Sequence, residues 1–164
     1  MKPPTIGMVL ATTLSLVLWP IGAQAADLTC DQFKVGLAES LAQYKYGAPR
    51  YEPWGGTVRL KAWLVRGIFD DVNPRIMCMN GYFLNFLVDA NSADDVRAAL
   101  HVGLFAGVAL HAFGLEWPEA LSVRDELVHT RRPATITKLP VGEGVASMAI
   151  SVAGIPDFEL NATR

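Results

Sequence analysis

Cys30 and Cys78 are the two cysteines of this chain, and they stand 48 residues apart. An even pair in an exported chain reads as a disulfide. Closing a loop of that length removes about 4 kcal/mol of conformational freedom from the unfolded state. The bridge also dictates which elements must meet. Thr29-Cys30-Asp31-Gln32 fits a capping box, with Thr29 as N-cap and Gln32 three residues on. Phe33, Leu37, Leu41 and Tyr44 then recur at helical spacing, and Gly47 offers a stop. Cys30 lies one turn before Phe33 on that stripe, so it faces the core, where a strand carrying Cys78 meets it. The chain has no Cys-x-x-Cys and no paired-histidine spacing, so the pair reads as a structural staple rather than a redox or zinc site.

The N-terminus places the chain in an oxidising compartment. Lys2 is the only charge before Asp27, an apolar run extends from Ile6 to Trp19, and Ala23-Gln24-Ala25 puts small residues where a signal peptidase reads. This is the three-part pattern of a signal peptide over residues 1–25, with cleavage after Ala25. The run of about fourteen apolar residues is short for a bilayer span, so retention as an anchor is the alternative. The short, singly charged leader fits a bacterial, periplasmic or secreted protein that meets the membrane only during export. The first cysteine is not at the cleavage point, so this is not a lipoprotein signal.

The 164 residues suffice for one domain, expected over 26–164. The net charge is −2, and loss of the leader with Lys2 makes it one unit more negative, which excludes a nucleic-acid binder held by basic excess. With 51% hydrophobic and 18% charged residues, intrinsic disorder is excluded as well.

Residues 47–56, with two prolines and three glycines, read as a loop. Val58, Leu60, Ala62 and Leu64 alternate with Arg59, Lys61 and Trp63, which predicts a half-buried strand with the aliphatic set inward. Asp70-Asp71-Val72-Asn73-Pro74 supplies turn chemistry, and Ile76–Val88 reads as a second, more buried strand. Ser92 with Asp95 opens a helix that Gly114 ends. One face carries Val96, Leu100, Leu104 and His111, and another carries Val102, Phe105, Ala109 and Phe113. A helix apolar on two faces must be buried on two faces. That places it between the sheet and another helix, or in a homodimer interface through residues 96–113, where Gly103 and Gly107 allow close approach. Arg97, His101 and His111 argue against a membrane span. Pro118 begins a third helix running to Thr130, with Arg131 and Arg132 near its end and Pro133 as its stop. Thr135–Leu139 and Val145–Ala153 make a second hairpin, and a short tail follows.

The expected fold is therefore α+β, an antiparallel sheet of about four strands in two hairpins with about three helices packed on it, in the order α-β-β-α-α-β-β. In element order this is similar to small secretion-chaperone-like α+β domains.

No catalytic constellation stands out. His101 and His111 are about 15 Å apart along one helix, too far to share a metal. His111 reads as a satisfied core residue, His101 as lying on the polar side near Arg97, and His129 as a helix-end residue favoured by the dipole. Asp70 and Asp71 read as turn residues, and Asp94 and Asp95 as helix-start charges. Ser147 and Ser151 lack a Gly-x-Ser-x-Gly elbow, and Gly142-Glu143-Gly144 is a hairpin turn, not a phosphate loop. Asn161-Ala162-Thr163 matches a glycosylation acceptor that a bacterial chain leaves unused. No cofactor or metal motif is present. The suggestive residues are aromatic and cationic. Tyr46, Tyr51 and Trp54 cluster in and before the Pro/Gly loop, Trp63 lies on the strand beyond it, and Arg50 and Arg59 stand nearby. They form the candidate binding set.

The expectation is an exported, non-enzymatic binding or protein-interaction domain for a protein or small ligand. One alternative is a small periplasmic hydrolase or isomerase that joins a His and an Asp from different elements. Another is an envelope structural protein anchored by an uncleaved N-terminus.

Overall fold

The computed structural model describes residues 27–92, 96–130, 134–151 and 153–163. The signal-peptide expectation for 1–25, the helix-start acids Asp94 and Asp95, the Arg131–Pro133 stop and Val152 lie outside them. The chain runs α1 (Cys30–Gln43), β1 (Arg50–Gly56), β2 (Leu60–Arg66), β3 (Val72–Met79), β4 (Tyr82–Ala90), α2 (Val96–Ala112), α3 (Trp117–Thr130), β5 (Ile136–Val141), β6 (Gly144–Ile150) and β7 (Pro156–Ala162). The class is α+β with three helices among the described residues, as expected. The sheet has seven strands rather than four, every neighbouring pair is antiparallel, and the spatial order is β1-β2-β3-β4-β7-β6-β5. The element order is thus α-β-β-β-β-α-α-β-β-β, and the similarity of order to secretion-chaperone-like domains lapses.

The three additional strands have separate physical causes. The run from Ile76 to Val88 is broken by a two-residue turn. Asn80 (φ 53°) and Gly81 (φ 87°) both adopt the left-handed region, the geometry that lets two strands of native twist meet. The segment read as a Pro/Gly loop contains β1, which lies at the edge of the sheet, where a proline forfeits no ladder bond. Its register shifts between Pro53 and Gly55. The tail is a full strand, and β7 slots between β4 and β6 with Phe158 and Leu160 fully buried. Asn85 of β4 donates from Nδ2 to Glu159 Oε1 and Asn161 Oδ1, both at 2.7 Å, which ties the last strand to the centre of the sheet. Val72, Asn73 and Pro74 belong to β3 rather than to a turn, and Pro74 sits just beyond the Leu64–Arg75 pair, where the β2–β3 ladder stops.

All three helices pack on one face of the sheet. The helix α2 lies at the centre, touching β3, β4 and β7 below and α1 and α3 on its flanks. Ala98, Val102, Phe105, Ala106, Val108, Ala109 and Leu110 are fully buried, so the face carrying Val102, Phe105, Ala109 and Phe113 is covered, whereas on the other expected face Leu104 and His111 are only half-buried. Val96 and Leu100, in its first turns, stay exposed. The closest helix approach is at Gly36 of α1, where a Cβ would lie 3.2 Å from the Ala112 backbone. Gly103 and Gly107, expected to permit close approach, face α3 side chains at ordinary distances of 3.5 Å or more.

The capping box forms as read. Thr29 Oγ1 accepts from the Gln32 N–H at 3.2 Å, and Gln32 Oε1 accepts from the Thr29 N–H at 2.8 Å. Phe33, Leu37 and Leu41 of α1 are fully buried against the sheet, and Phe33 stacks on Phe83 at 4.1 Å. The disulfide joins Cys30 to Cys78 with Cα atoms 5.9 Å apart. The phase of β2 is the reverse of the one expected. Trp63 pairs with buried Ile76 and Lys61 pairs with Cys78, and directly opposed residues share a face. Lys61, Trp63 and Val65 therefore face the helix layer, and Leu60, Ala62 and Leu64 face away from it. The wide indole, not the aliphatic set, is the group that fits beneath α1.

Candidate functional site

At the disulfide end of the sheet five segments converge on a notch of about 250 Å³. The first turn of α1 supplies Cys30 and Asp31, and the β1–β2 turn supplies Val58 and Arg59. Lys61 and Trp63 come from β2, Cys78 from β3, and Asn80 and Gly81 from the β3–β4 turn. Main-chain bonds fix these pieces to one another. The Cys30 N–H donates to Gly81 O at 2.9 Å, the Asn80 N–H to Arg59 O at 2.8 Å, and the Phe83 N–H to Leu28 O at 2.9 Å. Thr57 Oγ1 accepts from the Arg59 and Leu60 N–H groups at 3.3 and 3.1 Å, shaping the turn that carries Arg59. With the disulfide behind them, these walls are preorganised.

Lys34, one turn into α1, lies over the Trp63 ring with Nζ 3.4 Å from its centroid. Burial lowers the Lys34 pKa, Asp31 works against that shift by favouring the ammonium, and repulsion from Lys61 adds to it. The notch is thus lined by two cations, Arg59 and Lys61, and the single carboxylate of Asp31, with Lys34 beside them over Trp63. Among the described residues neither Arg59 nor Lys61 makes an ion pair.

The six candidate binding residues do not form one cluster. Arg59 and Trp63 line the notch. Tyr51 is a lock beside it. Its hydroxyl donates to Lys34 O at 2.8 Å, and burial pushes its pKa up to about 12. Trp54 stands on the opposite face of the sheet, 52% exposed, with the Arg75 guanidinium 5.2 Å from its ring centre. Arg75 in turn ion-pairs with Asp89. Tyr46 packs edge-on against Phe69 at 5.0 Å, next to the β2–β3 connection. Arg50 is exposed and pairs opposite Arg66, at the far end of β1 from the notch. Asp31, Val58, Lys61, Asn80 and Gly81 of the lining, and Lys34 beside it, are absent from the sequence-based binding set. Lys61 carried a usable signal, since alternation puts it on the same strand face as Trp63.

The histidines are each accounted for. His111 Nδ1 lies 2.8 Å from Leu115 O, and its ring stacks on Trp117. His129 Nδ1 lies 2.6 Å from Asp125 O. Neither reaches a carboxylate in the described contacts. His101 does, with Nδ1 2.7 and 2.9 Å from the two oxygens of Asp71 and its ring flat on Phe69 at 3.6 Å. Asp71 is therefore more than a turn residue, because this contact fastens the β2–β3 connection to α2. Among the described residues no group of three or more His, Cys, Asp or Glu is placed to hold a metal.

A second concavity, of about 370 Å³, lies between α2 and α3 and is lined mainly by Val96, Leu100, Leu104, Val128 and Tyr44, with Arg124 and Asp125 at its rim. Val96 and Leu100, exposed among the described residues, belong to its lining.

No family model, curated protein or solved structure matches this chain. The disulfide is compatible with an oxidising, extracytoplasmic location. Among the described residues no helix is long and apolar enough to cross a membrane.

Proposed function

We propose that this is an exported, non-enzymatic binding domain, released to the periplasm or medium by cleavage after Ala25, whose recognition site is the notch at the disulfide end. The observation that carries the reading is the joining of Trp63, Arg59 and Lys61 in one concave, covalently braced site. A rigid wall with an aromatic body and unpaired cationic tips suits recognition, because little conformational freedom is lost when a ligand docks.

Affinity capture from periplasmic extract tests the reading. Trp63→Ala and Arg59→Glu should abolish retention of the bound component, and Trp54→Ala, on the opposite face, should keep it. Arg59 is exposed, so Arg59→Glu separates loss of recognition from loss of fold. Equal capture by all three variants refutes the site. Intact-mass measurement of the exported chain distinguishes cleavage after Ala25 from a retained anchor.

A further inference from the structure

We infer that the notch recognises a small oxyanion, a carboxylate- or phosphate-bearing ligand held by Arg59 and Lys61. This inference rests on the binding-domain reading above and names the ligand class of the same site.

The first argument is charge. The whole chain is acidic, with a net charge of −2, yet here two exposed cations and a third beneath them face one carboxylate. Like charges held together repel: Lys61 disfavours the charged form of Lys34, Asp31 opposes it there with the larger effect, and neither Arg59 nor Lys61 has an ion-pair partner among the described residues. An anion seated between Arg59 and Lys61 relieves that repulsion. Guanidinium and ammonium groups bonded to an oxyanion make the strong, charge-assisted class of hydrogen bond.

The second argument is the wall. The positive end of the α1 dipole points at the notch from Cys30 and Asp31, adding to the field of the cations. The disulfide and the half-buried indole of Trp63 give the site a low-polarity backing, against which a charge pair is stronger than in open water.

The third argument is size. A volume of about 250 Å³ falls below the range of roughly 300–1,000 Å³ usual for drug-sized ligands. It suits a compact anion or one anionic group of a larger molecule.

Isothermal titration calorimetry of the exported protein at low ionic strength, with inorganic phosphate and with citrate as probes, tests this. The expected result is saturable binding of at least one probe, weakened by added sodium chloride. The stronger probe shows whether phosphate or carboxylate is the preferred chemistry. Arg59→Ala combined with Lys61→Ala should weaken binding by about tenfold or more, since two charge-assisted contacts are lost. Asp31→Asn should strengthen it by removing the competing carboxylate. These side chains are exposed, and near-UV circular dichroism with a thiol count verifies that the fold and bridge persist.

Absence of binding by both probes overturns the inference, and so does equal binding by the double variant, which marks an adventitious ion only. If capture from extract depends on Trp63 and Arg59 while neither anion binds or competes, the oxyanion assignment fails and the binding-domain reading stands. If the anion binds through Arg59 and Lys61 while capture is indifferent to them, the protein-partner form of that reading fails instead.

Discussion

Removing the disulfide by the double substitution Cys30→Ala and Cys78→Ala perturbs stability and site together, and the size of the effect follows from topology. The bridge closes a loop across a separation of 48 residues that contains β1, β2 and most of β3. The loop-entropy relation gives about 4 kcal/mol at 25 °C for that length. For a domain of about 140 residues the unfolding entropy is roughly 0.3 kcal/mol/K, so the melting temperature should fall by about 14 °C. The two sulfurs are also buried, at 4% and 2% exposure, so their loss removes packing in addition to the constraint. Urea unfolding followed by tryptophan fluorescence and far-UV circular dichroism measures the difference directly. The double variant avoids a lone thiol and the disulfide exchange that would confuse the comparison. A loss below about 1 kcal/mol in a folded, monodisperse variant would refute the reasoning, because the denatured chain would then already hold these ends together.

Thr29→Ala removes the side-chain half of the capping box and should destabilise the fold by about 1 kcal/mol in the same urea assay, with Thr29→Ser restoring most of it. Gly144→Ala places a Cβ 2.7 Å from both Asn161 O and the Phe113 ring, so a buried aromatic or the β6–β7 ladder must move. The expected loss is roughly 1–3 kcal/mol, with altered near-UV circular dichroism. Burial is the main cause that raises the Asp157 pKa, with Glu159 nearby adding to it and the Ala149 backbone N–H opposing it. A raised folded-state pKa contributes stability below the ordinary value of 3.8 and loses it as pH rises through the raised value. Asp157→Asn should therefore stabilise the protein at pH 7, with no gain at pH 3; the opposite pH trend in thermal melts contradicts this.

What the sequence disclosed, and what it hid, follows from how far each signal acts. The bridge and α1 were legible because a local capping box and a four-residue repeat fixed the phase of Cys30. The helix α2 was legible from its apolar periodicity and α3 from Pro118 in its first turn. The strands were harder. Asn80-Gly81 is a strong hairpin signal, but it sits inside an apolar run that reads as one continuous strand. In β7, Phe158 and Leu160 alternate with Asp157 and Glu159, yet seven residues near a chain end resemble a tail until β4 and β6 leave a gap for them. The inverted phase of β2 follows from its pairing with β3, Trp63 opposite Ile76 and Lys61 opposite Cys78, and that register is a tertiary fact.

The candidate site was only partly readable for the same reason. Sequence proximity grouped Tyr46, Arg50, Tyr51, Trp54, Arg59 and Trp63, but strand alternation and the β1 register shift divide them between two faces and two ends of the sheet. The charged partners that complete the notch, Asp31 and Lys61, come from α1 and from the next inward position of β2, and Lys34 of α1 stands beside them over Trp63. Only the fold brings α1 to that strand.

The account's central claim is that this domain binds through the notch at its disulfide end. Amide chemical-shift mapping of the isotope-labelled protein, titrated with an unlabelled envelope extract, tests it most directly. The expected result is a set of shifts concentrated at Asp31, Arg59, Lys61, Asn80, Gly81 and the Trp63 indole, lost in Arg59→Glu. Shifts confined to the α2–α3 groove around Leu100 and Val128, or no shifts in a folded sample, would contradict it.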